Sequence, residues 1–534
     1  MSSKSILILG AGLMQKPAIE SAKSLGLKVF LVDANPNAVC VPLADEFKQI
    51  DLKDKESIAQ YAVKLKKNQN LVSIFTAGTD FSTSVSYACE KSGLLSHPYE
   101  SSCNASFKTL MRKCFDREKV ASPKFTEIKR NEICETLTHD FLANLKYPLV
   151  VKPVDNMGAR GCRMIRQQDE LLYSIEEALK NSRSGTCILE EYMNGDEFSI
   201  DALVYDDTMT ITGFADRHIF FPPYFIETGH TMPSEVSKEK YTELIKTFAS
   251  GVKALGLTRG AAKADIKYTQ NGAMIGEIAA RLSGGYMSGW TFPYSSDLNL
   301  TKAAIQISCG ETPSELESLR VPLAIDSPFK LFYVPSKKVS AERAWISIPG
   351  TVKKIHNSNK NCPDIIKNVF PRINEKDKVT FPRNNVEKCG NVISVSTDRT
   401  EAVCACENYI KNITLELEPD NKDTEYFLQG KSLPFEKDFP PKAFPFSEQL
   451  LDSLYAELNE KKFLIPENAD IFDYVPDTLN KKEILSLADW NYLSLQETLE
   501  KFNIIRQTHK PVEYQKFWTY LINGGIQGAL YATE

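Results

Sequence analysis

Apolar and polar positions along this chain alternate between two periods. In the first hundred or so residues, Ile6–Leu9 and Lys28–Val32 are short apolar runs that read as parallel strands, and the stretch between them, Pro17–Leu25, has helical spacing. Val72–Thr76 reads as a further strand and Thr83–Ser92 as the helix after it. Strand, helix and strand in that order predict a parallel sheet covered by helices.

From residue 106 the pattern changes to helices mixed with antiparallel hairpins. Helices are expected over Phe107–Glu118, Leu171–Lys180, Lys240–Leu255 and near Leu300–Ile307. Strands are expected over Leu149–Lys152, Cys187–Tyr192, Ser199–Tyr205 and on both sides of Asn271-Gly272. Residues 331–420 are strand-rich, with turn signals at Pro349-Gly350, Pro382 and Cys389-Gly390. Leu433–Phe446 is rich in Pro, Phe and Lys and reads as a linker, followed by helices over Glu448–Lys461 and Ser494–Thr508. The fold class is therefore a multidomain mixture of α/β and α+β. Its units are 1–105, a parallel-sheet domain; 106–330; 331–420, a small β-rich cap; and 421–534, a linker and helical extension.

Composition narrows the function classes. With 534 residues, 42% hydrophobic and 25% charged, the chain can bury a large core and is not disordered or fibrous. The formal charge of −5 is spread without blocks of one sign, which points away from nucleic acid and from an anionic membrane surface. Apolar runs fall well short of the ~18 residues of a membrane span. The N-terminus, Met1–Met14, reads as a buried first strand rather than a signal peptide, since Gln15, Lys16 and Pro17 follow. The twelve cysteines include no C-x-x-C, only Cys404 and Cys406 on a predicted helix, so reduced thiols in a cytoplasm are expected.

Gly10-Ala11-Gly12 follows a strand and matches part of a dinucleotide-binding pattern, but Gln15 stands where that pattern needs its third glycine. The turn either lets the backbone bend tightly or lines a substrate cleft at the carboxyl ends of the strands. Asp80, in Thr76-Ala77-Gly78-Thr79-Asp80, is either a substrate contact or a helix N-cap.

Stronger chemistry lies in the middle of the chain. Lys152 sits in an apolar strand, where a lysine rarely stands without a partner, and precedes the loop Asp155-Asn156-Met157-Gly158-Ala159-Arg160-Gly161. Glycines free backbone N–H groups to cradle phosphate oxygens, and Lys and Arg neutralise their charge. Glu190, at the end of an apolar strand, can accept from an adenine amino group, the backbone after it can meet the ring edge, and Glu197 can reach ribose hydroxyls. In the segment Ala264–Arg281, Asn271-Gly272 signals a hairpin. A three-residue loop, Gln270–Gly272 with Gly272 at positive φ, sets Asp265 opposite Glu277. Facing carboxylates repel, and a divalent cation removes the conflict. Carboxylate plus phosphate oxygens suit Mg²⁺, with Mn²⁺ as a substitute. Arg281 lies on the same strand face as Glu277.

Together and in this order, these pieces over about residues 4–415 resemble the ATP-grasp superfamily. The likeness is nearest to its carboxylate–amine ligase branch, which includes bacterial L-amino acid and dipeptide ligases, and more distant to biotin carboxylase and carbamoyl-phosphate synthetase. The resemblance implies a pre-ATP-grasp domain at 1–105 and an ATP-grasp domain at 106–330 with a lid over about 125–195. It assigns ATP to Lys108, Lys152, Asn156, Gly158, Arg160, Gly161, Glu190, Glu191, Met193 and Glu197, and magnesium to Asp265 and Glu277. Arg281, Lys152 and His230 take catalytic roles, and Glu227, His230 and Asp80 face substrate. It implies a C–N-bond-forming, ADP-releasing ligase that acts through an acyl-phosphate on a small carboxylate and an amine, such as amino acids, and a homodimer as the assembly. One departure is that the branch's usual asparagine two residues past the second metal acid is here Ala279. A bicarbonate-activating enzyme and a non-catalytic ATP-binding regulator are the alternatives. A Rossmann-type oxidoreductase conflicts with Gln15.

Overall fold

The computed structural model describes residues 3–133, 146–359, 364–432, 436, 438–506 and 510–534. Met1, residues 134–145 of the expected lid, residues 433–435 and 437 of the expected linker, and residues 507–508 of the last expected helix lie outside the described residues.

The N-terminal sheet is parallel, in the order β3 (Glu46–Gln49), β2 (Lys28–Asp33), β1 (Ser5–Leu9), β4 (Leu71–Phe75). The helix between β1 and β2, Lys16–Ser24, opens with Pro17, whose missing N–H costs nothing in a first turn. The helix before β4, Lys55–Gln69, is capped by Asp54, which accepts from Ser57 N at 3.0 Å.

A second sheet, ordered β5 (Phe125–Lys129), β8 (Thr186–Glu191), β6 (Leu149–Pro153), β7 (Arg163–Ile165), forms the lid together with the helix Leu171–Lys180. The main sheet runs β13 (Gly272–Ala279), β12 (Gly260–Thr269), β9 (Gly195–Tyr205), β10 (Thr208–Phe220), β11 (Ile226–Met232), β16 (Val339–Trp345), β20 (Gly390–Ser396), β18 (Ile366–Pro371). The helix Lys238–Leu255 buries Leu244, Ile245, Phe248 and Val252 against it. Gly251 permits the approach, since a Cβ there would stand 2.5 Å from Ile275 Cδ1.

Three readings are corrected here. The β12–β13 hairpin does set Asp265 opposite Glu277, and Gly272 has φ +90°. Its loop, however, is the two-residue Gln270-Asn271, because Thr269 pairs with Gly272, and a bulge between Asp265 and Ile266 restores the carboxylate pairing. The β-rich segment is not a separate cap throughout. β15 (Lys330–Tyr333), β16, β18 and β20 are hydrogen-bonded into the main sheet, because β15 pairs with β10 and β16 with β11. Only β17 (Gly350–Asn357), β19 (Lys378–Val379) and β21 (Ile413–Leu417) form a small sheet apart. The stretch read as a linker is buried at Glu436, Phe439, Ala443 and Phe444. Its aromatic residues enter a core that also takes Ile348, Val352 and Leu417 of the small sheet's surroundings and Leu499, Phe517, Trp518 and Leu521 of the extension. The helix Tyr99–Ser106, absent from the sequence reading, precedes Lys108–Glu118.

The extension holds a titratable group deep inside. Asp489 accepts N–H from Asn491 at 2.8 Å and from Leu493 at 3.0 Å, and burial pushes its carboxyl up to about 7. A folded pKa above the unfolded value of 3.8 means that stability is fully present below about pH 4 and is lost as pH rises through about 7. Asp489→Asn keeps the acceptor oxygen and removes the charge. It is expected to raise Tm at pH 8 by about 2–4 °C, the shift that ~1 kcal/mol produces, with the gain shrinking towards pH 4. Scanning calorimetry at both pH values checks this.

No helix among the described residues is long and apolar enough to cross a membrane.

Candidate active site

Between the lid sheet and the β12–β13 end of the main sheet lies a cavity of about 520 Å³. Its walls include Lys108, Lys152, Asn156, Gly158, Arg160, Glu190, Glu191, Met193, Glu197, Asp265, Glu277, Arg281, Asp80 and Glu227. Gly161 and His230 are not in the wall. Gly161 has φ +68°, and a Cβ there would meet Asn181 Cβ at 2.7 Å, so the tight packing of the loop's base requires a glycine.

On the lid side, Lys152 projects from β6 and its Nζ lies 2.7 Å from Glu190 Oε2 on β8. Arg112, from the helix Lys108–Glu118, places Nε 2.7 Å from Glu190 Oε1 and donates from Nη2 to Gly276 O at 2.6 Å. Burial alone would raise the Glu190 carboxyl, but Arg112 and Lys152 outweigh it and hold it at about 2. The residue expected to accept from adenine thus has each of its oxygens in an ion pair. In this structure it positions Lys152 and ties the lid to the main sheet. Glu191 N donates to Lys124 O at 3.0 Å. Tyr192 and Phe225, with ring centroids 6.2 Å apart, add an aromatic wall beside Met193.

The loop after β6 turns through Gly158 at φ +65° and Ala159 at φ +59°. Lys108 Nζ donates to Asn156 O at 3.2 Å and lies 3.7 Å from Glu277 Oε2. Two cations and a glycine-bearing turn thus face one end of the cavity, a setting suited to phosphate oxygens.

Opposite them stand Asp265 and Glu277, paired across β12 and β13. Arg217 Nη1 lies 2.8 Å from Asp265 Oδ1, and Lys263 forms an ion pair with Asp265 Oδ2. Among the described residues no group of three or more His, Cys, Asp or Glu could hold a metal by itself. Glu277, together with Asp265 once an oxygen is released from Arg217 or Lys263, has the donors that fit Mg²⁺, which is held by one or two carboxylates plus substrate phosphates and waters. Ala279 also lines the cavity and offers it no oxygen from its side chain.

At the far end, Arg281 donates from Nε at 3.0 Å and from Nη2 at 2.7 Å to Asp80 Oδ1, bridging the main sheet and the N-terminal domain. Asp80 therefore spends its carboxylate on Arg281, and the helix that follows, Ser82–Ser92, starts from Phe81 without a side-chain cap. Glu227 takes Arg217 Nη2 at 2.6 Å and lies 3.4 Å from His230 Nε2, while His230 Nδ1 lies 2.9 Å from Glu342. Burial would lower the imidazole's pKa, yet Glu227 and Glu342 raise it. His230 is 1% exposed and stands behind Glu227.

The sequence reading missed Arg217, Lys263, Lys267, Arg372, Asn385 and Lys388, all in the cavity wall. Arg217 also pairs with Glu197, whose second oxygen lies 3.0 Å from Lys267. Lys263 and Lys267 flank Asp265 on β12 at alternate positions, a period-2 signal that was readable. Asn385 and Lys388 come from a loop far along the chain, which gives no local signal. Asn385 accepts from Glu227 N at 2.8 Å, and its own N–H donates to Gly158 O at 3.0 Å.

Beside this loop the extension reaches in. Glu436, 1% exposed, lies 3.4 Å from Arg163 on β7 and 2.8 Å from Arg383, and accepts from Tyr224 OH at 2.6 Å. One carboxylate thus joins the lid, the loop before Asn385 and the β10–β11 connection.

A lid sheet folded over an antiparallel sheet that carries facing carboxylates is the ATP-grasp arrangement, and residues 145–289 match the ATP-grasp domain family. The chain carries an ATP-grasp domain and has the ATP-grasp fold. It is 23% identical over 337 residues to carnosine synthase 1 of Mus musculus, covering 59% of this chain and 40% of that protein. It is 26% identical over 259 residues to alanine–anticapsin ligase of Bacillus subtilis, covering 44% of this chain and 53% of the relative. The structure of L-amino acid ligase from Bacillus licheniformis superposes with a TM-score of 0.65 at 18% identity, over 78% of this chain and all of the other. The chain spans well under half the length of carnosine synthase 1.

Proposed function

We propose that this protein is an ATP-dependent carboxylate–amine ligase that joins two small molecules, amino acids among them, through an acyl-phosphate. The observation that carries this reading is the convergence in one cavity of Lys108, Lys152, a glycine-bearing turn, the Asp265–Glu277 pair and Arg281. Similarity to carnosine synthase 1 and alanine–anticapsin ligase supports an amide-forming activity.

A carboxylate resists attack because its leaving group would be oxide. In the proposed reaction one of its oxygens attacks the γ-phosphorus of ATP, and ADP departs. The amine then attacks the acyl carbon, loses a proton, and phosphate departs. Lys108 and Lys152 bind the phosphates, with Lys152 aimed by Glu190. Asp265 and Glu277 would hold magnesium, which would supply charge neutralisation during phosphoryl transfer. Arg281, fixed by Asp80, faces the oxygen that gains charge during amine attack. The lid excludes the water that would hydrolyse an acyl-phosphate.

The testing experiment is ADP release from Mg-ATP in the presence of pooled L-amino acids, with bicarbonate plus ammonia as a separate arm. Release that depends on amino acids, with an amide product seen by mass spectrometry, is the expected result. Release with bicarbonate alone would replace this reading with carboxyphosphate chemistry.

A further inference from the structure

A second cavity, of about 490 Å³, adjoins the first and shares Met14, Tyr286 and Arg372 with it. It lies at the carboxyl end of β1, where the sheet order turns from β2 on one side to β4 on the other. That crevice is where open parallel sheets bind ligands. The Gly12–Gln15 turn forms one wall. Gln15 is fully buried: its Oε1 accepts from Ala77 N at 3.0 Å and its Nε2 donates to Ala77 O at 2.5 Å. The side chain that broke the dinucleotide pattern is therefore a staple between the β1 and β4 turns, and it keeps this wall in place.

The opposite wall is built from the strand β18 and the turn before the helix Phe292–Ser296. Phe370 stacks on Tyr286 with centroids 4.2 Å apart and planes 10° apart, and Trp290 sits edge-on to both rings at 5.3 and 5.6 Å. Tyr286 itself has φ +63°, a costly conformation for an aromatic residue that the surrounding rings enforce. Leu13, Met14 and Val369 complete an apolar surface.

Arg372 stands where the two cavities meet. Arg217 and Arg281 are neutralised by carboxylates of the protein. Among the described residues Arg372 is ion-paired to none; it donates to Tyr286 OH at 3.2 Å and to Asn385 O at 3.5 Å. An uncompensated guanidinium beside an aromatic cavity matches a ligand with one carboxylate and a bulky apolar group.

We propose that this side cavity receives the side chain of the amine substrate, and that this substrate is an α-amino acid with a large apolar or aromatic side chain whose unreacted carboxylate is bound by Arg372. The proposal rests on the ligase reading. An amine that attacks near Arg281 carries its own carboxylate away from the phosphates, towards the wall where Arg372 and an apolar floor stand together.

The experiment compares acceptors in the ADP-release assay. With wild-type protein, phenylalanine or leucine as the amine should exceed glycine in kcat/KM by about 10- to 100-fold, the range expected for burying one large side chain. Phe370→Ala should lower the phenylalanine-to-glycine ratio about tenfold. Arg372→Met should erase the preference for phenylalanine over phenylalaninamide, and Arg372→Lys should restore part of it. An unchanged ratio in Phe370→Ala, or an acid-over-amide preference that survives Arg372→Met, overturns the proposal. If no amino acid elicits ADP release, the ligase reading fails by itself. Calorimetric titration of phenylalanine into wild-type and Phe370→Ala protein then decides the cavity: binding to wild type weakened by the substitution upholds it, and no binding to either overturns it.

Discussion

Glu277→Ala is expected to lower ADP release by on the order of 10³-fold or more, the loss that follows when several kcal/mol of charge stabilisation disappear from phosphoryl transfer. The substitution removes one of the two facing carboxylates and leaves Asp265 paired with Arg217 and Lys263. Folding should barely change, because the Glu277 side chain is 34% exposed and its ion pair to Lys108 is 3.7 Å long. Two measurements separate the effects. Thermal unfolding of the free protein should match wild type, while Mn²⁺ affinity measured by electron paramagnetic resonance with a non-hydrolysable ATP analogue should fall. Wild-type turnover in this variant would remove Glu277 from the metal site.

The second large effect falls on the structure itself. Glu190→Ala should destabilise the protein by about 3–5 kcal/mol, the usual result of leaving buried charges without their partner. Arg112 is 1% exposed, and Lys152 reaches the same carboxylate. Glu190→Gln keeps the shape and one acceptor but not the charge, so it should fall between the two. The lower midpoint should appear in urea unfolding followed by lid fluorescence or hydrogen exchange, with the lid opening first. The sign with pH is fixed: a carboxyl held at about 2 against 4.5 unfolded stabilises above about pH 4.5 and loses that contribution as pH falls through 2. The gap between wild type and Glu190→Ala should therefore be constant through neutral pH and close only in strong acid.

Local periodicity carried much of the fold. The helix Leu171–Lys180 and the first two strands coincide with their sequence patterns almost to the residue, since the helix has one apolar face and each strand is a short, continuously apolar run buried on both faces. What periodicity could not carry was register and partnership. Counting back from Asn271-Gly272 brought Asp265 opposite Glu277, but through the wrong loop. A bulge adds a residue that no alternation of side chains announces, and here it offsets the shorter turn. Glu190 was legible as a carboxylate ending an apolar strand. Its partner Arg112, 78 residues away, was not. His230 was read as facing substrate because its segment resembled a substrate loop; it is buried, with Nδ1 on Glu342 and Nε2 3.4 Å from Glu227 of the cavity wall, neighbours that no local pattern announces. Pro and Phe in Leu433–Phe446 read as linker composition, although Phe439 and Phe444 are core residues. Aromatic residues in a Pro-rich stretch mark irregular backbone, and only the packing decides whether that backbone is inside or out.

The reach of Glu436 has a consequence for how this chain can be rearranged. A lid hairpin without an arginine at the Arg163 position would leave that carboxylate to Arg383 and Tyr224 alone. The same extension placed on a domain that lacks these arginines would bury the carboxylate without a counter-charge. The last part of this chain and the hairpin over its cavity are therefore coupled through one carboxylate, and a change to either is felt by the other.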